Sequence, residues 1–142
     1  MRELAILTFQ SLDGVMQSPT SPQEDPSNGF TQGGWAAPYW PEVMEQVRDE
    51  AMSVPYDILL GRTTYDMFAA SWPSRGDESP TTQMMNTAKK WVVTASSTNP
   101  IDWNHSARIT GDVVGQISEL KEQDGPLLQV HGSHGLIQTL LA

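Results

Sequence analysis

The sequence predicts an α/β domain built on a mainly parallel sheet with helices on both faces. Two observations carry this expectation. Short apolar runs of strand length alternate with stretches of helical periodicity. Most of the runs end in a glycine or a small polar residue, and several lead directly into a helix start. Right-handed crossovers would join the strands. The 142 residues suit a single domain, 1–142, with a core that needs no covalent staples.

Taken in order, Leu4–Phe9 is an apolar run expected as a strand buried on both faces, closing at the turn Ser11-Leu12-Asp13-Gly14. Residues 17–38 are rich in Pro, Ser, Gly and Gln and form a long loop, of the kind used as lids. Trp35, Tyr39 and Trp40 close it, as ring anchors or pocket walls. Pro41–Met52 predicts a helix with Pro41 at its first position and Val43, Met44, Val47 and Met52 on one face. Asp57–Leu60 is a second buried strand, and Thr63 or Thr64 caps a helix reaching Ala70. Residues 74–83 are expected as polar loop and 84–88 as a helical turn. Trp91–Thr94 and Ala107–Ile109 are strands three and four. Asp112 opens a helix to about Gln123, Leu127–Val130 is the fifth strand, and a last helix starts at Leu136.

Seventeen acidic residues against eight basic ones give a net charge of −9, which disfavours nucleic-acid binding. It does not forbid an anionic cofactor, because an arginine and backbone N–H groups can make a local positive site. The absence of cysteine removes disulfides and thiolate chemistry and fits a reducing compartment. No leader or membrane-span pattern is visible, so a cytoplasmic protein with no membrane partner is expected.

Four turns at strand ends are candidate sites. In Gly61-Arg62-Thr63-Thr64, the glycine admits close approach. The arginine offers a planar fork for phosphate, and the helix start offers free N–H donors. A bland capped turn with a solvated arginine is an equal alternative on local features. Gly132-Ser133, in His131-Gly132-Ser133-His134-Gly135, exposes backbone donors but lacks a full dinucleotide fingerprint and a P-loop lysine. Its histidines lack a third ligand at metal spacing, so no metal is expected. Thr94, Ser96 and Ser97 place hydroxyls at the end of strand three, where a plain polar loop is the simpler reading. Asp13 either meets a substrate or holds its own turn.

In sequence, Phe9–Gly14, Asp57–Tyr65, Lys90–Thr94, Gly111–Val114 and Val130–Ser133 resemble the dihydrofolate-reductase-like superfamily. The similarity is to the branch of riboflavin-biosynthesis reductases found as the C-terminal domain of bifunctional deaminase-reductases. The resemblance implies NADPH as cofactor and hydride transfer to a C=N or C=O bond of a pteridine- or pyrimidine-like small molecule. It implies that Gly61, Arg62, Thr63 and Thr64 hold adenosine-side phosphates, and that Thr94, Ser96 and Ser97 lie near the ribose 2′-phosphate. Gly132 and Ser133 would meet the pyrophosphate. Asp13, as the candidate catalytic residue, and Trp35, Tyr39 and Trp40 would border the nicotinamide and substrate.

The sequence departs from the family in two places. Folate-reducing members carry an acid on the first helix; Glu42, Glu45 and Asp49 fall on it here, none in an identifying motif. The family also continues with further C-terminal strands, which are missing from this chain. An uncovered edge of that kind implies a homodimer. Two other classes stand beside the reductase: a non-catalytic relative that binds a small molecule or a partner, and an assembly module that uses the sheet edge alone.

Overall fold

The computed structural model describes residues 1–40, 42–76 and 79–142. Pro41, the side chains of Glu42 and Val43, and the loop residues Asp77 and Glu78 lie outside the described residues. The chain falls into two compact units, Met1–Leu7 with Val54–Ala142, and Thr8–Ser53.

The larger unit is an α/β sheet flanked by helices. Its strands are β1 (Leu4–Ile6), β2 (Tyr56–Gly61), β3 (Lys90–Val93), β4 (Ser106–Ile109) and β5 (Leu127–Gly132). Among the described residues they form one sheet in the order β1-β5-β2-β3-β4, and every pairing is parallel. The last strand is thus inserted between the first two. Ile58, Leu59 and Leu60 on β2 and Leu128 and Val130 on β5 are fully buried, as central parallel strands require. Helices α2 (Arg62–Ser71), α3 (Pro80–Thr87), α4 (Val113–Glu122) and α5 (His134–Leu141) complete the unit.

Several expectations are corrected here. β1 is only three residues long and half-buried, because it pairs with β5 alone and forms one edge of the sheet. The segment 74–83 is not all loop. Ser79 accepts from the Thr82 N–H at 3.1 Å and starts α3 at Pro80, so proline occupies a first-turn position that needs no donor. Neither Thr63 nor Thr64 caps α2. Gly61 stands at the cap position, and no side chain bonds the first turn there. Asp112 does cap α4, accepting from the Gly115 N–H at 2.9 Å. The last helix starts at His134, two residues before the expected Leu136.

Two charged groups are built into this unit. Arg2, just before β1, is buried and bonds Asp57 on β2, and its Nε donates to the Pro126 carbonyl at 2.8 Å. A group this desolvated is tolerated only with such partners. Lys90 opens β3 fully buried. Its Nζ donates to the carbonyls of Asn86 (2.8 Å) and Asn104 (3.1 Å) and lies 4.2 Å from the Trp103 ring centre. The ammonium therefore holds the C-terminal end of α3, where free carbonyls collect. Tyr65 continues the network, with its hydroxyl accepting from the Trp103 N–H at 2.9 Å.

The smaller unit, Thr8–Ser53, contains helix α1 (Glu42–Ala51) and the long loop. That loop is organised by its own hydrogen bonds. Trp35 Nε1 donates to the Gln17 carbonyl (2.9 Å), the Gly34 N–H to Ser18 (2.7 Å) and the Ala36 N–H to Pro19 (2.9 Å). Ser18 is buried, and its Oγ accepts from the Asp25 N–H at 2.6 Å. Gly33 packs so closely on Pro22 that a β-carbon there would lie 2.6 Å from the Pro22 Cα.

Burial pushes the Lys90 ammonium down from its usual 10.5 to about 8. Between those values the unfolded chain holds more protons than the folded one, so stability should rise as pH rises through that window. The gain attributable to Lys90 is at most about 3 kcal/mol. Urea midpoints measured from pH 7 to 10.5 should show this slope in the native chain and lose it in Lys90→Met. An equal slope in both proteins would refute the assignment.

Candidate functional site at the carboxyl ends of the strands

Because all five strands are parallel, their carboxyl ends share one edge. The register aligns Leu60 with Gly132, Gly61 with Val93, and Val93 with Ile109. Ligands of open parallel sheets collect at this edge, most often where strand order departs from chain order. Here β5 makes that break. The turns after β5, β2 and β3 therefore stand side by side, and the outer two are about 10 Å apart at ordinary strand spacing.

The β2–α2 and β5–α5 turns are interlocked. A β-carbon at Gly61 would collide with Ser133 Oγ and lie 2.9 Å from the Ser133 backbone nitrogen. At Gly132, φ is +136°, and a β-carbon would lie 2.8 Å from Thr64 Oγ1. Each glycine is thus seated on a residue of the opposite turn. Gly61, Thr64, Gly132 and Ser133, four of the residues singled out in the sequence, are brought together, and α2 and α5 begin beside them. Free N–H groups of two helix starts at one place favour an anion.

Arg62 is the first residue of α2 and is not simply solvated. Its Nε donates to Asp66 Oδ2 at 2.9 Å, and its second terminal nitrogen bonds Asp66 Oδ1, also at 2.9 Å. This fork, four residues apart on one helix, holds the guanidinium even more firmly protonated than usual. The remaining nitrogen, Nη1, is covered from solvent and has no acceptor among the described residues. Thr63 is exposed beside it.

After β3, Thr94 is buried, and its Oγ1 accepts from the Ser96 N–H at 3.2 Å. Ser96 Oγ accepts from the N–H groups of Thr98 (3.3 Å) and Asn99 (3.0 Å). Ser96 thus shapes its own loop and keeps one hydroxyl proton to offer, while Ser97 is exposed. The sequence reading missed Arg108, whose guanidinium on β4 donates to the carbonyls of Ser96 (2.5 Å) and Asn99 (2.6 Å). An arginine inside an otherwise apolar strand stretch was the available signal. Asp66 was missed as well, although its i,i+4 spacing from Arg62 was visible.

The remaining expected site residues belong to the smaller unit. Asp13 is exposed and accepts from Ser11 Oγ at 2.6 Å. That bond, with the residue's own backbone N–H, holds its carboxyl below the usual range. Such a group is ionised at neutral pH and is not poised to donate a proton. Trp35 staples the loop, Trp40 packs on Phe9 with ring centres 5.0 Å apart, and Tyr39 is exposed. Of the candidate acids on α1, Glu45 is exposed and Asp49 pairs with Arg48.

His131 precedes the β5 turn. Burial pushes its imidazole down to about 4, so it is neutral at pH 7; its Nε2 lies 3.2 Å from Gln129 Oε1. No helix among the described residues is long and apolar enough to cross a membrane. No protein-family model matches the chain, and neither does any curated protein sequence.

Gly61→Ala should destabilise the fold by about 1–3 kcal/mol, since its β-carbon must displace the Ser133 backbone. Chemical denaturation tests this, and a neutral effect would mean that the two turns are not held together. His131 carries a second expectation. Its folded value near 4 lies below its usual 6.5, so stability present above pH 6.5 should be lost as pH falls towards 4. His131→Gln should reduce that acid sensitivity relative to the native chain, and an unchanged profile would contradict it.

Proposed function

We propose that the chain is an NADPH-dependent reductase that delivers hydride to a C=N or C=O bond of a pteridine- or pyrimidine-like small molecule. The supporting observation is the interlock of the Gly61–Thr64 and Gly132–Ser133 turns where α2 and α5 begin. These residues fit a dinucleotide. The two helix starts supply N–H donors for a pyrophosphate, and Arg62 stands at the first position of α2 beside them. Thr94 and the Ser96–Ser97 loop stand one strand further along, in the direction expected for a ribose phosphate. When bound, the cofactor supplies the hydride; the protein's part is to hold and orient it.

Asp13 favours keeping a second reading, binding without turnover. As an exposed carboxylate held ionised by Ser11, it does not supply the proton that reduction of a C=N bond requires.

Titration of NADPH fluorescence should give a saturable signal with the native chain. Arg62→Ala should weaken it about tenfold or more, the scale of one lost charge-assisted hydrogen bond. Absence of saturable binding by the native protein would remove the proposal. NADPH binding without oxidation across a panel of pteridines and pyrimidines would select the second reading.

A further inference from the structure

We infer that Arg108 is a specificity-determining residue: it makes the site prefer a dinucleotide that carries an extra ribose phosphate over one that does not. The inference rests on the reading of the strand-end rim as a dinucleotide site. Arg108 lies on β4, paired in register with Val92, one residue before the end of the strand. Its two terminal nitrogens donate to the carbonyls of Ser96 (2.5 Å) and Asn99 (2.6 Å). These two bonds fix where the side chain points: the guanidinium sits against the loop that follows β3. That loop carries the hydroxyls of Ser96 and Ser97.

Charge separates Arg108 from a residue that only shapes a loop. A carbonyl satisfies a donor but carries no net charge, so both bonds leave the guanidinium a full cation. Among the described residues no carboxylate pairs with it. Glu119 borders the same surface cleft but forms no ion pair with it. Arg62, which opens α2 at the same edge of the sheet, is answered by Asp66. Arg108 is half-buried; its Nε makes no bond among the described residues and is not covered from solvent. The cation therefore stays within reach of an anion that arrives at the loop.

A phosphate monoester is the anion that fits this place. At neutral pH it carries nearly two negative charges and three strong acceptor oxygens. Dinucleotide sites meet a bare ribose with a carboxylate and a ribose 2′-phosphate with an arginine. Residues 94–99 carry hydroxyls and no acid, and Arg108 is bonded to two of their carbonyls. Ser97 is exposed next to Ser96, and its hydroxyl and N–H make no bond among the described residues. The loop thus offers neutral donors, and Arg108 adds the charge.

The test is titration of NADPH and of NADH, each followed by its own fluorescence, with the native chain, Arg108→Gln and Arg108→Lys. Thermal midpoints check that the variants fold. The native chain should bind NADPH at least about tenfold more tightly than NADH, the scale of one charge-assisted hydrogen bond. Arg108→Gln keeps an amide donor for a loop carbonyl but loses the charge. It should erase most of the preference by weakening NADPH, with NADH binding changed less than about twofold. Arg108→Lys, which keeps the charge without the fork, should retain part of the preference. In the native chain the preference should also shrink as ionic strength rises from about 0.02 to 0.5 M. Equal affinity of the native chain for both cofactors, a preference indifferent to salt, or equal losses for both in Arg108→Gln would overturn the inference and leave the dinucleotide reading intact. No binding of either cofactor by the native chain would overturn both.

Discussion

The close seating of β5 against β2 is the constraint on which the rest of the larger unit depends. Parallel strands cannot be joined by a tight turn, so each arrives through a crossover and each leaves from the same edge. Inserting the last strand between the first two sets the β5–α5 turn directly beside the β2–α2 turn. The two turns then compete for the same space. Glycine at 61 and glycine at 132 resolve that conflict, one by yielding to Ser133 and the other by taking a positive φ against Thr64. The outcome is a close-packed junction of the two turns at which two helices begin together.

Electrostatics decide what that surface can hold. A chain with net charge −9 repels anions at long range, although salt screens this over about 8–10 Å. Close contacts therefore matter more than the overall field. Among the described residues three arginines pair with acids: Arg2 with Asp57, Arg48 with Asp49 and Arg62 with Asp66. The first two pairs fasten a strand or sit on a helix surface. Arg62 differs because it stands at the first position of α2, next to the start of α5. Local donor geometry, rather than net charge, makes the rim suitable for phosphate.

The architecture was largely legible in the sequence because parallel strands announce themselves as short apolar runs closed by small residues. β2, β3 and β5 each appear within two residues of their expected positions. What sequence patterning could not supply was partnership. β1 has the apolar run of a central strand, yet it sits at an edge, since run composition does not reveal how many neighbours a strand has. α3 was half visible: its last turn falls in the expected helical turn at 84–88, while its polar first half, PTTQ, read as loop and is marked only by the Ser-Pro start. The candidate site shows the same division. Gly61, Thr64, Gly132 and Ser133 were identifiable from their strand-end positions. The partners that condition the rim, Asp66 for Arg62 and Arg108 for the Ser96 loop, were not singled out, because their roles are hydrogen bonds rather than motifs.

The unfavourable groups in the larger unit cluster on one route, and that clustering bears on how the rim stays rigid. Lys90 is buried among carbonyls and a tryptophan ring, a placement that lowers the stability of its charged form. It nevertheless ties the end of α3 to the segment before β4, and Trp103 in that segment donates its N–H to Tyr65 on α2. Tyr65 in turn stands beside Arg62. A hydrophobic residue at position 90 would relieve the desolvation but would leave the Asn86 and Asn104 carbonyls without their donor. The buried amine is therefore best understood as the far anchor of a network whose near end fixes the first turn of α2. Polar networks of this sort are costly when half-satisfied and directional when complete. Direction is what a site needs if its donors must meet ligand oxygens within a fraction of an ångström.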